Sequence, residues 1–286
     1  MRRSWALAAA TLATLLLAGC LLLPGKFTSA IDLRKDGTFS FTYKGEIHVL
    51  ALSKLAEDER NRKNDTATFE PSTCFDDEKG DERPCTADEI AEQKRVWEED
   101  LAASKAAAAE KKKSDEQMAK AMLGGIDPSD PRAAQEFAER LRRQKGWKSV
   151  IDKGDGRFEV EYAITGKLTH DFSFPTVEKL PMVMPFVTMI RRADGSVRID
   201  APAFASGAAN SPFMGMAAMA ADEKSEKAGG QGMPTLDGVL TLTTDGEILA
   251  NNTDEGPAAA ASGKMLQWKV NERTKEAPTA LVRFAP

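Results

Sequence analysis

Histidine is nearly absent from this chain: His48 and His170 are the only two in 286 residues. Neither is accompanied by a nucleophile motif such as G-x-S-x-G. H-E-x-x-H, a P-loop and a dinucleotide fingerprint are also missing. Catalysis therefore has little to stand on, and no cofactor is implied. Paired carboxylates such as Glu159 and Glu161 carry no specificity in a chain with 44 acidic residues. There is no excess of basic charge either. The net charge of −5 argues against nucleic acid as a partner. Beyond the first two dozen residues no apolar run is long enough to span a bilayer.

The N-terminus carries the strongest positive signal. Arg2 and Arg3 precede an apolar run, Trp5 to Leu17, that closes on the small residues of Leu17-Ala18-Gly19-Cys20. Charged start, apolar middle and small-residue end are the parts of a secretory signal. A cysteine directly after Ala-Gly resembles the lipobox of bacterial lipoproteins. The resemblance implies removal of residues 1–19, a diacylglycerol on the Cys20 thiol and acylation of the new amino terminus. Two or more acyl chains anchor stably, each buried methylene contributing about 0.8 kcal/mol. The alternative is an uncleaved helix, because Trp5 to Leu23 is almost continuously apolar and about 20 residues suffice to span. Leu21 is not the aspartate that resembles an inner-membrane retention signal in Gram-negative lipoproteins. The expectation is an extracytoplasmic protein of the cell envelope, tethered to the bilayer through Cys20. In a two-membrane source it would face the periplasm from the outer membrane.

With Cys20 taken by lipid, Cys74 and Cys85 remain, and an oxidising compartment permits them to pair. Such a short loop would contribute roughly 3 kcal/mol in the chain-entropy account. Two thiols alone, with no His or further Cys at a ligand spacing, do not make a metal site.

Asp-Gly turns between extended segments recur at Asp36-Gly37, Asp155-Gly156, Asp194-Gly195 and Asp245-Gly246. Asp-Gly flanked by alternating hydrophobics marks a hairpin, so four hairpins are expected. Phe39, Phe41, Tyr43, Ile47 and Val49 share one strand face. Phe158, Val160, Tyr162 and Ile164 repeat the pattern, as do Leu266, Trp268 and Val270. One packed and one wet face point to an antiparallel sheet covered on one side.

The expected cover is helical. Thr86 and Glu89 form a capping-box pattern, followed by a charged Ala, Glu and Lys-rich stretch running to Leu123, where Gly124 and Gly125 stop it. Only the ends of that stretch look able to pack. It reads either as a solvated spacer or as a partner-binding arm. A second helix is expected with Asp130 as cap, Pro131 at its first position, Phe137 and Leu141 facing the core and Gly146 beyond its end. The fold class read from these signals is α+β: an antiparallel sheet of Asp-Gly hairpins with helices on one face, plus one long charged helix. Residues 20–286 read as a single extracytoplasmic domain, with a helical insertion at about 86–145 and a mobile loop at about 205–235.

Met214, Met216 and Met219, with Met182 and Met184, are thioethers of the kind that hold Cu(I). Methionine equally supplies adaptable apolar surface, and that reading is preferred, with no metal assigned. The acidic run Asp76, Asp77, Glu78, Asp81 and Glu82 lacks the alternation of a calcium loop and reads as a solvated turn.

The order of elements is similar to the LppM-type lipoprotein domain. The likeness rests on the lipobox, an opening hairpin from Phe27 to Val49, helices, and the closing passage from Gly246 to Asn252, Gly263 and Leu266 to Val270. It implies an extracytoplasmic α+β domain and, for mycobacterial members, association with glycolipids. Two features depart from the pattern: no C-terminal transmembrane helix is seen, and the long Ala/Lys/Glu stretch is an insertion. No ligand residue carries over, and Trp268, in phase with Leu266 and Val270, reads as core.

Two functions follow. In the first, a non-enzymatic module binds lipid or another hydrophobic ligand, with the segment Phe204 to Met219, including Phe213, Met214 and Met216, and the segment Pro181 to Phe186 forming a mobile lip. In the second, the body is an envelope scaffold whose long helix reaches another protein.

Overall fold

The computed structural model describes residues 22–53, 68–75, 81–180, 183–205 and 234–284. Among them, a seven-stranded sheet is built from β1 (Leu22–Leu33), β2 (Thr38–Val49), β5 (Trp147–Asp152), β6 (Arg157–Lys167), β10 (Asp237–Thr244), β12 (Ala258–Ala260) and β13 (Gly263–Asn271). Its order is β12-β13-β10-β1-β2-β6-β5. A five-stranded sheet contains β7 (Phe172–Phe174), β8 (Val187–Arg191), β9 (Ser196–Asp200), β11 (Glu247–Asn251) and β14 (Thr279–Arg283), in the order β11-β14-β9-β8-β7. A short pair, β3 (Cys74–Phe75) and β4 (Glu82–Arg83), forms a third. The described helices α1 (Ala87–Met122) and α2 (Ala133–Arg142) separate that pair from β5.

The expected α+β layout, one sheet covered by helices, does not form. Among the described residues, fourteen strands in three sheets make the fold predominantly β, and most of the cover is the five-stranded sheet. Its strands are five residues or shorter, too short to display a convincing period of two. Phe27, Phe41 and Tyr43 from the large sheet meet Phe172, Phe174, Phe186 and Phe204 from the opposite side, closing one aromatic-rich core. The buried Tyr43 hydroxyl donates to the Glu46 carbonyl at 2.8 Å, which satisfies it; burial pushes its pKa well above the usual tyrosine range. Of α1 and α2, it is α2 that packs on the end of the large sheet, with Phe137 against Phe158 at 5.3 Å. Asp130 Oδ1 accepts from Arg132 N at 2.8 Å in the turn that leads into the helix, which begins two residues later than expected, after Arg132.

Three of the four Asp-Gly turns join adjacent antiparallel strands: β1 to β2, β5 to β6 and β8 to β9. The fourth, Asp245-Gly246, instead carries the chain from the large sheet to the small one. Gly246 is not among the positive-φ glycines. A Cβ there would lie 2.8 Å from Val282 and 2.9 Å from the Arg283 carbonyl. That glycine serves close approach of β14, so the same dipeptide makes a crossover. The sheet also contains a parallel pair, β1 with β10.

At the far edge, Trp268 is core, 7% exposed. Its Nε1 donates to Asn252 Oδ1 at 2.9 Å, the same oxygen accepts from Thr279 N at 2.8 Å, and Asn252 Nδ2 donates to the Ala277 carbonyl at 2.8 Å. Asn252 thus ties the two sheets together. Asn252→Ala leaves those groups without their partner and should cost about 1–3 kcal/mol, read as a lowered urea midpoint. An unchanged midpoint would show that water replaces the amide.

Candidate functional site

Two parts of the molecule stand apart from the sandwich core. The first is α1 and what it carries. Thr86 Oγ1 accepts from Glu89 N, and Glu89 Oε2 accepts from Thr86 N at 2.8 Å, so the capping box is formed. The Arg83 guanidinium grips the Glu89 carboxylate through two bonds, at 2.8 and 2.6 Å. Cys74 and Cys85 are joined in a disulfide. Gln93 Nε2 lies 3.5 Å from Cys74 Sγ, while Gln93 Oε1 accepts from Ser72 N at 2.8 Å. Phe69 packs on Trp97 with ring centroids 5.7 Å apart. Together these contacts fasten the β3–β4 hairpin to the first turns of the helix. Cys74, Cys85 and Glu89 converge within 4.8 Å, but the disulfide removes both thiolates from metal ligation.

At its other end α1 is rooted in the body. Leu123 and Ile126 are buried in the core, and Arg140 Nη1 donates to the carbonyls of Leu123 and Gly124 at 3.0 and 2.9 Å, placing a cation at the helix C-terminus. Between root and tip, the helix buries none of its residues, and residues 102–114 are all exposed. Ion pairs lace its surface, Arg95 with Glu92 and Glu99 at 2.5 and 2.6 Å, and Lys112 with Glu116 at 3.2 Å. Its 36 residues span about 54 Å. Residues 70–100 hold twelve acidic and four basic side chains, a net −8, so the rest of the chain is net positive.

The tip makes a pH prediction. The Arg83 hydrogen bonds, and then the Thr86 N–H, hold the Glu89 carboxyl down at about 2, from an ordinary 4.5. A lowered carboxylate pKa stabilises the folded tip fully above the unfolded value and loses that contribution as pH falls through the folded one. A side-chain carboxyl NMR titration should find Glu89 near pH 2, rising toward 4.5 in Arg83→Gln. A midpoint near 4.5 in the parent would mean the cap is not held this way.

The second part is a pair of surface clefts. One, of about 830 Å³, follows β13 and is lined by Asp254, Glu255 and Glu276 against Lys269, Arg273 and Lys275, acid balancing base. The other, of about 560 Å³, opens at the end of the sandwich where the turns after β1 and β8 meet.

Of the residues singled out from sequence, Phe204 and Phe186 are both 0% exposed, Phe204 stacked 4.0 Å from Phe27, inside the core rather than on a lip. Cys20, Phe213, Met214, Met216 and Met219, along with Met182 and residues 76–78 of the acidic run, lie outside the described residues. His48, its pKa lowered chiefly by desolvation, sits 3.9 Å from Glu46 near the start of β1. His170 follows β6 at the opposite end of the sheet, with Nδ1 3.0 Å from Thr169 Oγ1. The two histidines cannot act together. The tip contacts of Phe69 and Gln93 were invisible to sequence reading, because neither residue belongs to a motif.

No described helix is long and apolar enough to cross a membrane. No family model matches the chain, and no curated protein matches it. Among solved structures it is similar to the NMR structure of the folded domain of the Mycobacterium tuberculosis LppM protein. The two share 13% identity over 94% of this chain and 92% of that one, with a TM-score of 0.28. A likeness at that score carries no argument, and the functional reading rests on the chain's own residues.

Proposed function

We propose that this chain is a lipid-tethered, non-enzymatic interaction module of the cell envelope. The sandwich is its base, α1 a spacer, and the disulfide-stapled tip the element that meets another envelope protein. One observation carries the reading: a 36-residue helix with no buried residue. A helix polar all round contributes no apolar face to a core and is typical of segments that bridge solvent. What it holds out is a tip with contact surface. Phe75 is 53% exposed, and Ile90 and Val96 are exposed too, whereas large apolar side chains on the body are mostly buried. The lipobox resemblance at Cys20 supports the tether, and the spacer would give the tip reach beyond a lipid surface.

The hydrophobic-ligand reading loses Phe204 and Phe186 to the core, and Phe213, Met214, Met216 and Met219 lie outside the described residues. The test is a photo-reactive amino acid placed at Phe75, Ile90 or Val96, with Ile190 on the body as control, in cells producing the full chain. A discrete protein adduct shared by the tip positions and missing at Ile190 is expected. Equal labelling at Ile190, or none at the tip, would sink the proposal.

A further inference from the structure

Three of the four Asp-Gly turns gather at one end of the sandwich, away from Leu22. Leu33, Thr244 and Lys167 share that level of the large sheet, and Lys35 N donates to Asp245 Oδ1 at 2.8 Å across two of the turns. The third, Asp194-Gly195, reaches the same place from the small sheet. The 560 Å³ cleft opens between the Asp36-Gly37 and Asp194-Gly195 turns. Four cations line it, each from a different segment: Lys35 from the β1–β2 turn, Lys167 from the end of β6, Arg191 from β8 and Arg283 from β14.

Only two acids share the lining against four cations; each spends one oxygen on its own turn, and Asp36 and Asp194 also feel the charges of Lys167 and Arg283. Asp36 Oδ1 accepts from Thr38 N and Oγ1 at 2.8 and 2.6 Å. Asp194 Oδ1 accepts from Ser196 N and Oγ at 3.0 and 2.6 Å. Arg283 has a partner outside the lining, Glu247 at 3.5 Å; no salt bridge joins Lys35, Lys167 or Arg191 to a described residue. The turn amides are spent on the turns, Gly37 N on the Arg34 carbonyl and Gly195 N on the Arg192 carbonyl. Any anion here would be held by side chains. Leu168 and Phe284 add an apolar wall.

We infer that this cleft binds a phosphomonoester, its dianion held by Lys35, Lys167, Arg191 and Arg283 and its organic body resting on Leu168 and Phe284. Like charges brought together from four segments repel one another, and an oxyanion bound among them reverses that cost. The two arginines offer planar forks and the two lysines point charges, the complement that phosphate oxygens take. The volume suits a sugar-sized or lipid-headgroup-sized ligand. This site lies on the body and stands or falls independently of the tip.

The test uses the full chain in neutral detergent micelles and isothermal titration with two probes, glucose 6-phosphate and dihexanoylphosphatidic acid. Glucose and dihexanoylphosphatidylcholine are the uncharged and zwitterionic controls. Binding of the first probe identifies a soluble phosphomonoester; binding of only the second identifies a lipid phosphate. In either case Lys167→Gln and Arg191→Gln should each weaken affinity at least about tenfold, and added salt should weaken it further. Lys148→Gln, the same charge change on β5, should leave it unchanged. All three side chains are exposed, so the variants should keep the parent's urea midpoint. No binding of either probe, affinity no better than for the controls, or affinity indifferent to Lys167 and Arg191 would overturn the inference.

Discussion

Phe174→Ala should lower the stability of the sandwich by about 3–5 kcal/mol. That is a large fraction of the 5–15 kcal/mol typical of a folded domain. The ring is fully buried and lies within 6 Å of five others: Tyr162 at 4.7 Å, Phe41 and Tyr43 at 5.0 Å, Trp147 at 5.8 Å and Phe186 at 5.9 Å. Those partners come from β2, β5, β6 and the segment before β8, so truncation opens a cavity whose walls are tied to both sheets and relax only partly. Urea unfolding should show a lower midpoint with an unchanged slope. Phe75→Ala, the same change on an exposed ring, should stay within about 0.5 kcal/mol. Equal losses from the two would mean that Phe174 is not central to the core.

Gly146→Ala should be nearly as damaging, by about 2–5 kcal/mol. Gly146 holds φ at +99°, and an added Cβ would lie 2.4 Å from the Tyr162 ring. Backbone strain and steric overlap add here. The ring cannot retreat, because Trp147 packs on it edge-on at 5.3 Å and Phe174 at 4.7 Å. Gly146 also holds the join between α2 and β5, its carbonyl accepting from Ala163 N at 2.9 Å. Thermal unfolding of the variant should begin well below that of the parent. In contrast, Gly154→Ala has positive φ but open space around the new methyl, so it should show strain alone and a smaller loss.

Legibility followed length and locality. β2 and β6 run for 12 and 11 residues, long enough for alternation to announce the inward face from Phe39 to Val49 and from Phe158 to Tyr162. The five-stranded sheet gave no such signal, and the second half of the chain therefore read as strands and loops of a single sheet. Asp245-Gly246 has the same chemistry as three true hairpin turns, and only the proximity of β14 reveals its different use. The pairing of β1 with β10 joins residues some two hundred positions apart, beyond the reach of any local pattern. Phe204 stands next to a Gly, Ala and Met-rich stretch and took its reading from that composition; its ring belongs to Phe27. At the tip, Thr86 and Glu89 were readable because a capping box is local, whereas Phe69 on Trp97 is not. The cationic cleft was wholly hidden. Lys35 and Arg283 lie at opposite ends of the sequence, and only the sandwich brings them to one opening.

The helix α1 serves the tip and not the body. Removing residues 101–118 takes out five helical turns, about 27 Å, and keeps the two ends in phase. The segment includes the pairs Lys112 with Glu116 and Lys113 with Glu110, surface interactions of small worth. The measurement is the urea midpoint of the full-length shortened chain, taken together with photo-crosslinking from Phe75 in cells. An unchanged midpoint and loss of the adduct are expected. A shortened chain that unfolds at markedly lower urea, or one that still captures the same partner, would contradict this role for α1.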